Sequence, residues 1–469
     1  MANINNKYPK NYEACTGAGA CGAENAVSHA KYPVFTPEMK KTHTILLPMM
    51  LPIHFTLLRE VLIQHGYKAE LLTNDSRAVV EAGLDNVHND TCYPALLVIG
   101  QFIDALKSGR FDTDKVALMI TQTGGGCRAS NYIHLLRKAL KKSGFGHVPV
   151  ISLNLAGLER GSGFKITPAM LNKFVNAVIL GDFFMLIKNQ CLPYEMVNGQ
   201  TEAVVDKWIK RITGDWKGKK VIRYKSVKEY YAKALADFAA IKRKDEKRVP
   251  VGIVGEIYIK YSPMGNNNLE KFLISEGAEP VVPGLLDFCM YCAHNTQIAQ
   301  RRYGGRTIAA AAGGIIYKLF LSRQRDMIEA INKEGTFRAP VPFSSTVSLT
   351  QKYISDGVVM GEGWLLTSEM AELISMGVNN IVCTQPFGCL PNHIIAKGMA
   401  NKVKRLHPDA NIVAIDYDPG ASEVNQQNRI KLMLANAKKQ MAQKVQPERR
   451  LEVVAAMNKS SKKEVLAAR

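Results

Sequence analysis

The residues with the most reactive side chains in this 469-residue chain are nine cysteines, at positions 15, 21, 92, 127, 191, 289, 292, 383 and 389. In a large intracellular protein that number argues against a disulfide scaffold and toward metal or redox work. A lone cysteine is ordinarily a small core hydrophobe. That explanation weakens where several cysteines lie in loops beside glycine and proline. Cys127 closes the loop Thr121-Gln-Thr-Gly-Gly-Gly-Cys, and Cys383 and Cys389 flank Thr-Gln-Pro-Phe-Gly. Cys289 and Cys292 follow Val281-Val-Pro-Gly-Leu-Leu-Asp-Phe. Cys92 opens a helix in Asn89-Asp-Thr-Cys-Tyr-Pro, where the free N–H groups of a helix start favour a thiolate. Cys191 sits at a helix end with no glycine around it and is left out.

Glycines ahead of Cys127, Gly125 and Gly126 among them, suit close backbone approach to a bulky anionic group. An iron–sulfur cluster fits, because amide N–H groups can bond its sulfides. Arg128 then neutralises cluster charge, or simply pairs with an acid. Zinc is the second metal considered. It prefers compact Cys-x-x-Cys pairs used twice, and only Cys289 and Cys292 have that spacing. Two further groups can supply protons to a reduced substrate. Glu256 ends the first strand of the second half, and His393 begins the helix after Cys389. Their bland alternatives are a hydrogen-bonded structural carboxylate and a helix cap. The segment Gly17-Ala-Gly-Ala-Cys-Gly22 has the spacing of a dinucleotide loop but no strand before it. No phosphate-binding loop of the G-x-x-x-x-G-K-[ST] type occurs, so ATP hydrolysis is not expected of this chain itself.

These residues need elements to position them. From residue 42 onward short apolar runs alternate with helical spacing. Strands are expected at Thr44–Met50, Ala69–Leu72, Val116–Thr121 and Val148–Leu153. Helices are expected at Pro52–His65, Cys92–Ser108, Ser130–Ser143 and Pro168–Asn189. The second half repeats the theme. Its strands are Pro250–Ile259, Pro280–Pro283, Asn380–Cys383 and Asn411–Asp416, and its helices include Asn268–Glu276, 286–335, Trp364–Met376, Pro391–Leu406 and Ser422–Gln443. This alternation predicts an α/β protein with two doubly wound, Rossmann-like parallel-sheet domains. The expected divisions are an irregular segment (1–40), a first domain (41–199), a charged helical linker (200–248), a second domain (249–436) and a basic helical extension (437–469). Two domains also suit the length, since one core rarely grows beyond roughly 250–300 residues. In open parallel sheets ligands bind beyond the carboxyl ends of the strands, where most of the cysteines fall.

The formal net charge of +20 raises the question of nucleic acid. No basic run is interleaved with aromatics, so nucleic acid is not expected. The basic excess lies mostly in 207–247 and 431–469, as solvated helical faces or as a surface for an acidic protein partner. The start of the chain has no apolar core of a secretory signal. No unbroken apolar run reaches the ~18–20 residues of a membrane helix. A cytoplasmic protein with no membrane span is expected.

Longer segments carry a family resemblance. They are Val251-Gly-Ile-Val-Gly-Glu-Ile-Tyr through Ser262-Pro-Met-Gly-Asn-Asn-Asn-Leu-Glu, Pro283-Gly-Leu-Leu-Asp-Phe, Gln385-Pro-Phe-Gly-Cys-Leu-Pro-Asn-His and Ala414-Ile-Asp-Tyr-Asp-Pro-Gly-Ala. In the first half they are His88-Asn-Asp-Thr-Cys-Tyr-Pro-Ala and Thr121-Gln-Thr-Gly-Gly-Gly-Cys-Arg-Ala-Ser-Asn-Tyr. Over residues 40–435 the chain resembles the double-cubane cluster proteins, relatives of the 2-hydroxyacyl-CoA dehydratases. The resemblance implies a double-cubane (Fe8S9-type) cluster held by six cysteines, a homodimer, and a separate ATP-hydrolysing iron–sulfur reductase that injects low-potential electrons. The reduced cluster would then act on a small molecule. Cys92, Cys127 and Cys389 match the three-cysteine pattern of the dehydratase relatives. Cys289, Cys292 and Cys383 are the nearest candidates for the second cubane, and Cys15 and Cys21 could displace one or two of them. The alternatives are a dehydratase-type subunit with a single 4Fe–4S cluster, or an electron-transfer module with no substrate of its own.

Overall fold

The computed structural model describes residues 32–88, 90–122, 126–154 and 163–443. Gly125, Cys15 and Cys21 lie outside the described residues, as do most of the 1–40 segment and the last part of the 437–469 extension. In chain order the first half runs α1 (Met39–Thr42), β1 (Thr44–Leu47), α2 (Pro52–Gln64), β2 (Lys68–Leu71), α3 (Arg77–Asn86), α4 (Tyr93–Lys107), β3 (Val116–Gln122), α5 (Tyr132–Lys142), β4 (Val150–Asn154) and α6 (Pro168–Cys191). Helices α7 (Gln200–Trp216) and α8 (Tyr224–Ala239) follow. The second half runs β5 (Val249–Gly255), α9 (Ile257–Tyr261), α10 (Leu269–Ser275), β6 (Ala278–Val281), α11 (Leu285–Tyr303), α12 (Thr307–Glu334), α13 (Phe343–Thr350), α14 (Leu365–Ser375), β7 (Asn380–Pro386), α15 (Gly398–Leu406) and β8 (Asn411–Tyr417). A last helix, α16, covers 423–443.

The expected fold class holds. Each half has a four-stranded, wholly parallel sheet, with strand orders β2-β1-β3-β4 and β6-β5-β7-β8. The two halves therefore share one topology. In each, the strand order reverses between the first and third strands, and that reversal leaves a crevice at their carboxyl ends. Side chains alternate across each sheet, as strand geometry requires. Ile45 and Leu47 enter one core while Leu46 enters another. The second core also takes Val249, Val251 and Ile253 of β5, so it is shared by both halves. A third core lies on the far face of the second sheet.

Besides β5, which ends at Gly255 and gives way to α9 instead of running on to Ile259, three features differ from expectation. Helix α3 was not anticipated. Its sequence, Arg-Ala-Val-Val-Glu-Ala-Gly-Leu-Asp-Asn, has a glycine inside the helical run, which lowers helix propensity. The glycine is used in packing. A Cβ at Gly83 would lie 2.5 Å from the Leu96 carbonyl oxygen, and one at Gly100 would lie 2.1 Å from that of Val79. The two glycines let α3 and α4 touch backbone to backbone. Second, the charged stretch 200–248 is more than a connector. Trp208, Trp216, Tyr231 and Phe238 on its inner faces are buried in the first core beside Phe183 and Phe184 of α6. Third, β7 continues to Pro386 instead of ending at Cys383, because Gln385 and Pro386 keep pairing with Asp416 and Tyr417 of β8.

Among the described residues one helix, within Pro168–Tyr194, is long and apolar enough to cross a membrane by composition, but 67% of its apolar window is buried inside the protein. It serves as a core helix here. Asp182 on its buried face receives the His54 Nε2–H at 2.9 Å and the backbone N–H groups of Leu285 and Leu286 at 2.8 and 2.7 Å. This first-half carboxylate thereby caps α11 of the second half, the helix that carries Cys289 and Cys292.

Since α4 begins at Cys92, the α3–α4 contact fixes that cysteine. Gly100→Ala should lower stability by about 1–3 kcal/mol, the range for overpacking a tight interior. Urea unfolding checks this, with an unchanged midpoint as the contrary result.

Candidate functional site

The site is built from loops at the carboxyl ends of the strands. Cys92 is the N-cap residue of α4. The next N–H, of Tyr93, donates to the Phe387 carbonyl of the second half at 2.9 Å. Gly388 follows with φ +74°, and a Cβ there would sit 3.0 Å from the Cys92 Cα. Glycine at 388 therefore meets both a backbone requirement and a space requirement. Cys389 comes next, so this contact brings the Cys92 and Cys389 loops together across the two halves.

Cys127 arrives from the loop after β3. Its sulfur accepts from the Ala129 N–H at 3.5 Å and starts a short 3-10 turn over Arg128–Asn131. A Cβ at Gly126 would lie 2.9 Å from Met360 Sδ, and one at Gly361 would lie 3.9 Å from Cys127 Cβ and 3.0 Å from Pro391 Cγ. The Cys127 loop thus abuts the 360–361 turn and the segment just beyond Cys389. Tyr132 closes the group, with its hydroxyl 3.0 Å from the Cys92 sulfur. His393 holds the Cys389 loop through its Nδ1–H, which donates to the Cys389 carbonyl at 2.9 Å. This is not the N-terminal cap considered for it, since a cap accepts a backbone N–H whereas His393 donates, and His393 lies inside the helical turn Asn392–Lys397.

Behind these cysteines lie two buried carboxyls. Glu256 is the N-cap of α9 and accepts from the Ile259 N–H at 2.9 Å. Glu362 accepts from the neighbouring Ile257 N–H at 3.1 Å. Both acids are buried on the same short helix start. Burial, and then the nearby charge of Glu362, push the Glu256 carboxyl up to about 8. Burial raises Glu362 as well. The pair therefore holds a proton near neutral pH, as facing carboxyls do in a dry site.

The thiols are raised too. Burial dominates at Cys92, offset in part by the Tyr132 hydroxyl and, more weakly, by the Arg128 cation. Cys389 is pushed far up by burial, then by Glu362 and Glu256, with Cys127 adding to it. These mutual influences place Cys92, Cys127, Cys389, Arg128, Glu256 and Glu362 in one electrostatic neighbourhood. A bound metal would reverse the thiol shifts, because its charge favours the thiolate.

The remaining candidates separate. Cys292, in the third turn of α11, is raised by burial, then by Cys289 and Glu362, which puts it at the edge of the group. Cys289 lies further in. Burial, then Asp182 and Asp287, raise it to about 12. Both pack against the first core. Cys383 is not at a strand end. It is the fourth residue of β7, packs in the third core with Leu366, Met370 and Ile395, and has Gln385 Nε2 at 3.8 Å from its sulfur. The extension of β7 to Pro386 moves it into the sheet and leaves Cys389 alone at the strand's mouth. Cys191 is buried in the first core.

The structure adds two residues that the sequence reading passed over, Glu362 and Tyr132. Glu362 had a signal. It lies between two glycines in Met360-Gly-Glu-Gly-Trp364, an acid in a turn whose glycines have φ +59° and +45°. Tyr132 had none, since its hydroxyl meets Cys92 only through the tertiary fold.

Among the described residues no three His, Cys, Asp or Glu side chains stand close enough together to hold a single metal ion. Cysteine thiolates are the donors that an iron–sulfur cluster takes, each at a different iron.

The raised Glu256 carboxyl makes stability depend on pH. An unfolded glutamate titrates near 4.3, and the folded one at about 8. The folded state binds the proton more tightly, so stability is highest below the unfolded value and falls as pH rises through the folded one. The urea midpoint should decline over that window, and Glu256→Gln should flatten the decline. An identical slope in wild type and variant would contradict the assignment. Compared with known proteins, the chain matches no family model and no curated sequence.

Proposed function

We propose that the chain is an iron–sulfur reductase. The observation that carries this reading is the convergence of Cys92, Cys127 and Cys389, from three loops and both halves, at the mouths of two parallel sheets. Cys92, Cys127 and Cys389 hold one cubane. In the double-cubane form Cys289 and Cys292 are the nearest further ligands, and Cys292 already borders the group. The cluster, when bound, supplies low-potential electrons to a small molecule in the cleft. The chain's own residues do the rest. Gly126 and Gly388 let their loops seat against Met360 and Cys92, Arg128 offsets negative charge, and the Glu256–Glu362 pair holds a proton beside the reacting centre.

The absence of a phosphate loop supports a separate ATP-hydrolysing reductase as electron donor. Phe387, Leu390 and Ile394 lie exposed around Cys389, an apolar surface for that partner at the point where electrons must enter. Ile308, Ile315 and Leu319 are exposed along one face of α12, which suits a second copy of the chain in a homodimer. The cytoplasm, reducing and free of the need for export, is the compartment this chemistry requires.

A second reading, the dehydratase-type subunit with one 4Fe–4S cluster, gains from the position of Cys383 inside the third core. Iron and acid-labile sulfide on anaerobically purified protein decide between them. About eight irons per chain support the double cubane and about four the single one, while zinc without sulfide contradicts both. Cys127→Ala and Cys389→Ala should each lose at least half of the iron, and Cys191→Ala should lose none.

A further inference from the structure

The Tyr132 hydroxyl stands 3.0 Å from the Cys92 sulfur, and the fold holds it there. Tyr132 is the first residue of α5 and follows directly on the short 3-10 turn that Cys127 starts. That turn is pinned twice. The Ser130 hydroxyl donates to the Cys127 carbonyl at 2.7 Å, and the Gln122 side-chain amide donates to the Ser130 carbonyl at 2.8 Å. The Tyr132 ring packs against the second core, which keeps its hydroxyl toward Cys92. The segment that carries Cys127 thus reaches across to the sulfur of Cys92.

Each of the three sulfurs also takes a backbone N–H from nearby in sequence. The donors are Ala95 for Cys92, Ala129 for Cys127 and Asn392 for Cys389. Such bonds come with any cysteine at the start of a helical turn. The phenol comes instead from a different element, through the tertiary fold. Burial, then the neighbouring Cys92 and Glu256, push the Tyr132 hydroxyl well above its ordinary value, so it keeps its proton. In the metal-free protein either atom can give the hydrogen of this contact. A thiolate bound to iron has no proton, so there the direction is fixed and the tyrosine donates. A hydrogen bond to a ligating sulfur draws electron density from the metal centre. It favours the reduced, more negative state over the oxidised one and raises the reduction potential.

We propose that Tyr132 is a positioning residue for the redox centre, whose O–H···S bond orients the Cys92 ligand and raises the reduction potential of a cluster bound through that sulfur. This rests on the reading of the cleft as an iron–sulfur site. The tyrosine itself is neither oxidised nor deprotonated.

Tyr132→Phe removes one oxygen and keeps the ring in its core. In anaerobically purified full-length protein the variant should hold as much iron as the wild type. Its cluster should titrate at a more negative potential when reduction is followed by EPR. Resonance Raman supplies a second readout. Iron–thiolate stretching bands that move between H2O and D2O in the wild type should lose part of that movement in the variant. A tyrosine that only packs would alter stability and leave the potential and the D2O effect unchanged. Fluorotyrosine in place of Tyr132 is a stronger hydrogen-bond donor and should move the potential the opposite way. It decides the question if Tyr132→Phe fails to fold or loses iron. A potential unchanged by the substitution that is read overturns the proposal. Iron analysis separates this role from the reading beneath it. A wild-type chain that carries no iron refutes the cluster and this role together, whereas iron with an unchanged potential refutes this role alone.

Discussion

The hydrogen bond from the Tyr93 N–H to the Phe387 carbonyl, 2.9 Å long, ties the first helix turn after Cys92 to the loop that carries Cys389. The close seating of Gly388 on Cys92 makes that bond possible. Neither half alone contains the site. The first half brings Cys92, Cys127, Arg128 and Tyr132, and the second brings Glu256, Glu362 and Cys389. The rest of the architecture holds the two sheet mouths in register. Asp182 reaches from α6 to cap α11, and the second core draws on both sheets. A shared core and a buried carboxylate cap resist relative motion far better than a polar linker would. This explains why the charged 200–248 stretch carries buried tryptophans on its inner faces.

The electrostatics follow from the same closure. Burial is the largest cause of every shift at Cys92, Cys389, Glu256 and Glu362. Thiols and carboxyls in such a place resist ionisation and wait for a compensating cation or proton. The chain places a cation beside the thiols at Arg128, and Tyr132 adds a hydroxyl at Cys92.

Much of this was legible in the sequence. Apolar runs alternating with helical spacing gave both sheets, because strand and helix periods leave clear marks in buried segments. Glycine or proline beside most of the cysteines marked loops, and it was the family resemblance that set Cys92, Cys127 and Cys389 ahead of the others. The misreadings have physical causes. Cys383 looked like a strand end because Thr-Gln-Pro breaks the apolar run, yet pairing with Asp416 and Tyr417 carries the strand onward. Helix α3 went unseen because Gly83 weakens its signal, while that same glycine gives it a packing partner. The Tyr132–Cys92 contact was invisible, since 40 residues separate its members.

The most direct test of the central claim is to locate iron in the anaerobically prepared protein by anomalous X-ray scattering. The account predicts iron between the Cys92, Cys127 and Cys389 sulfurs, with Glu256 and Glu362 behind it. Iron bound elsewhere, or a metal-free cleft in protein that carries iron by analysis, would contradict it.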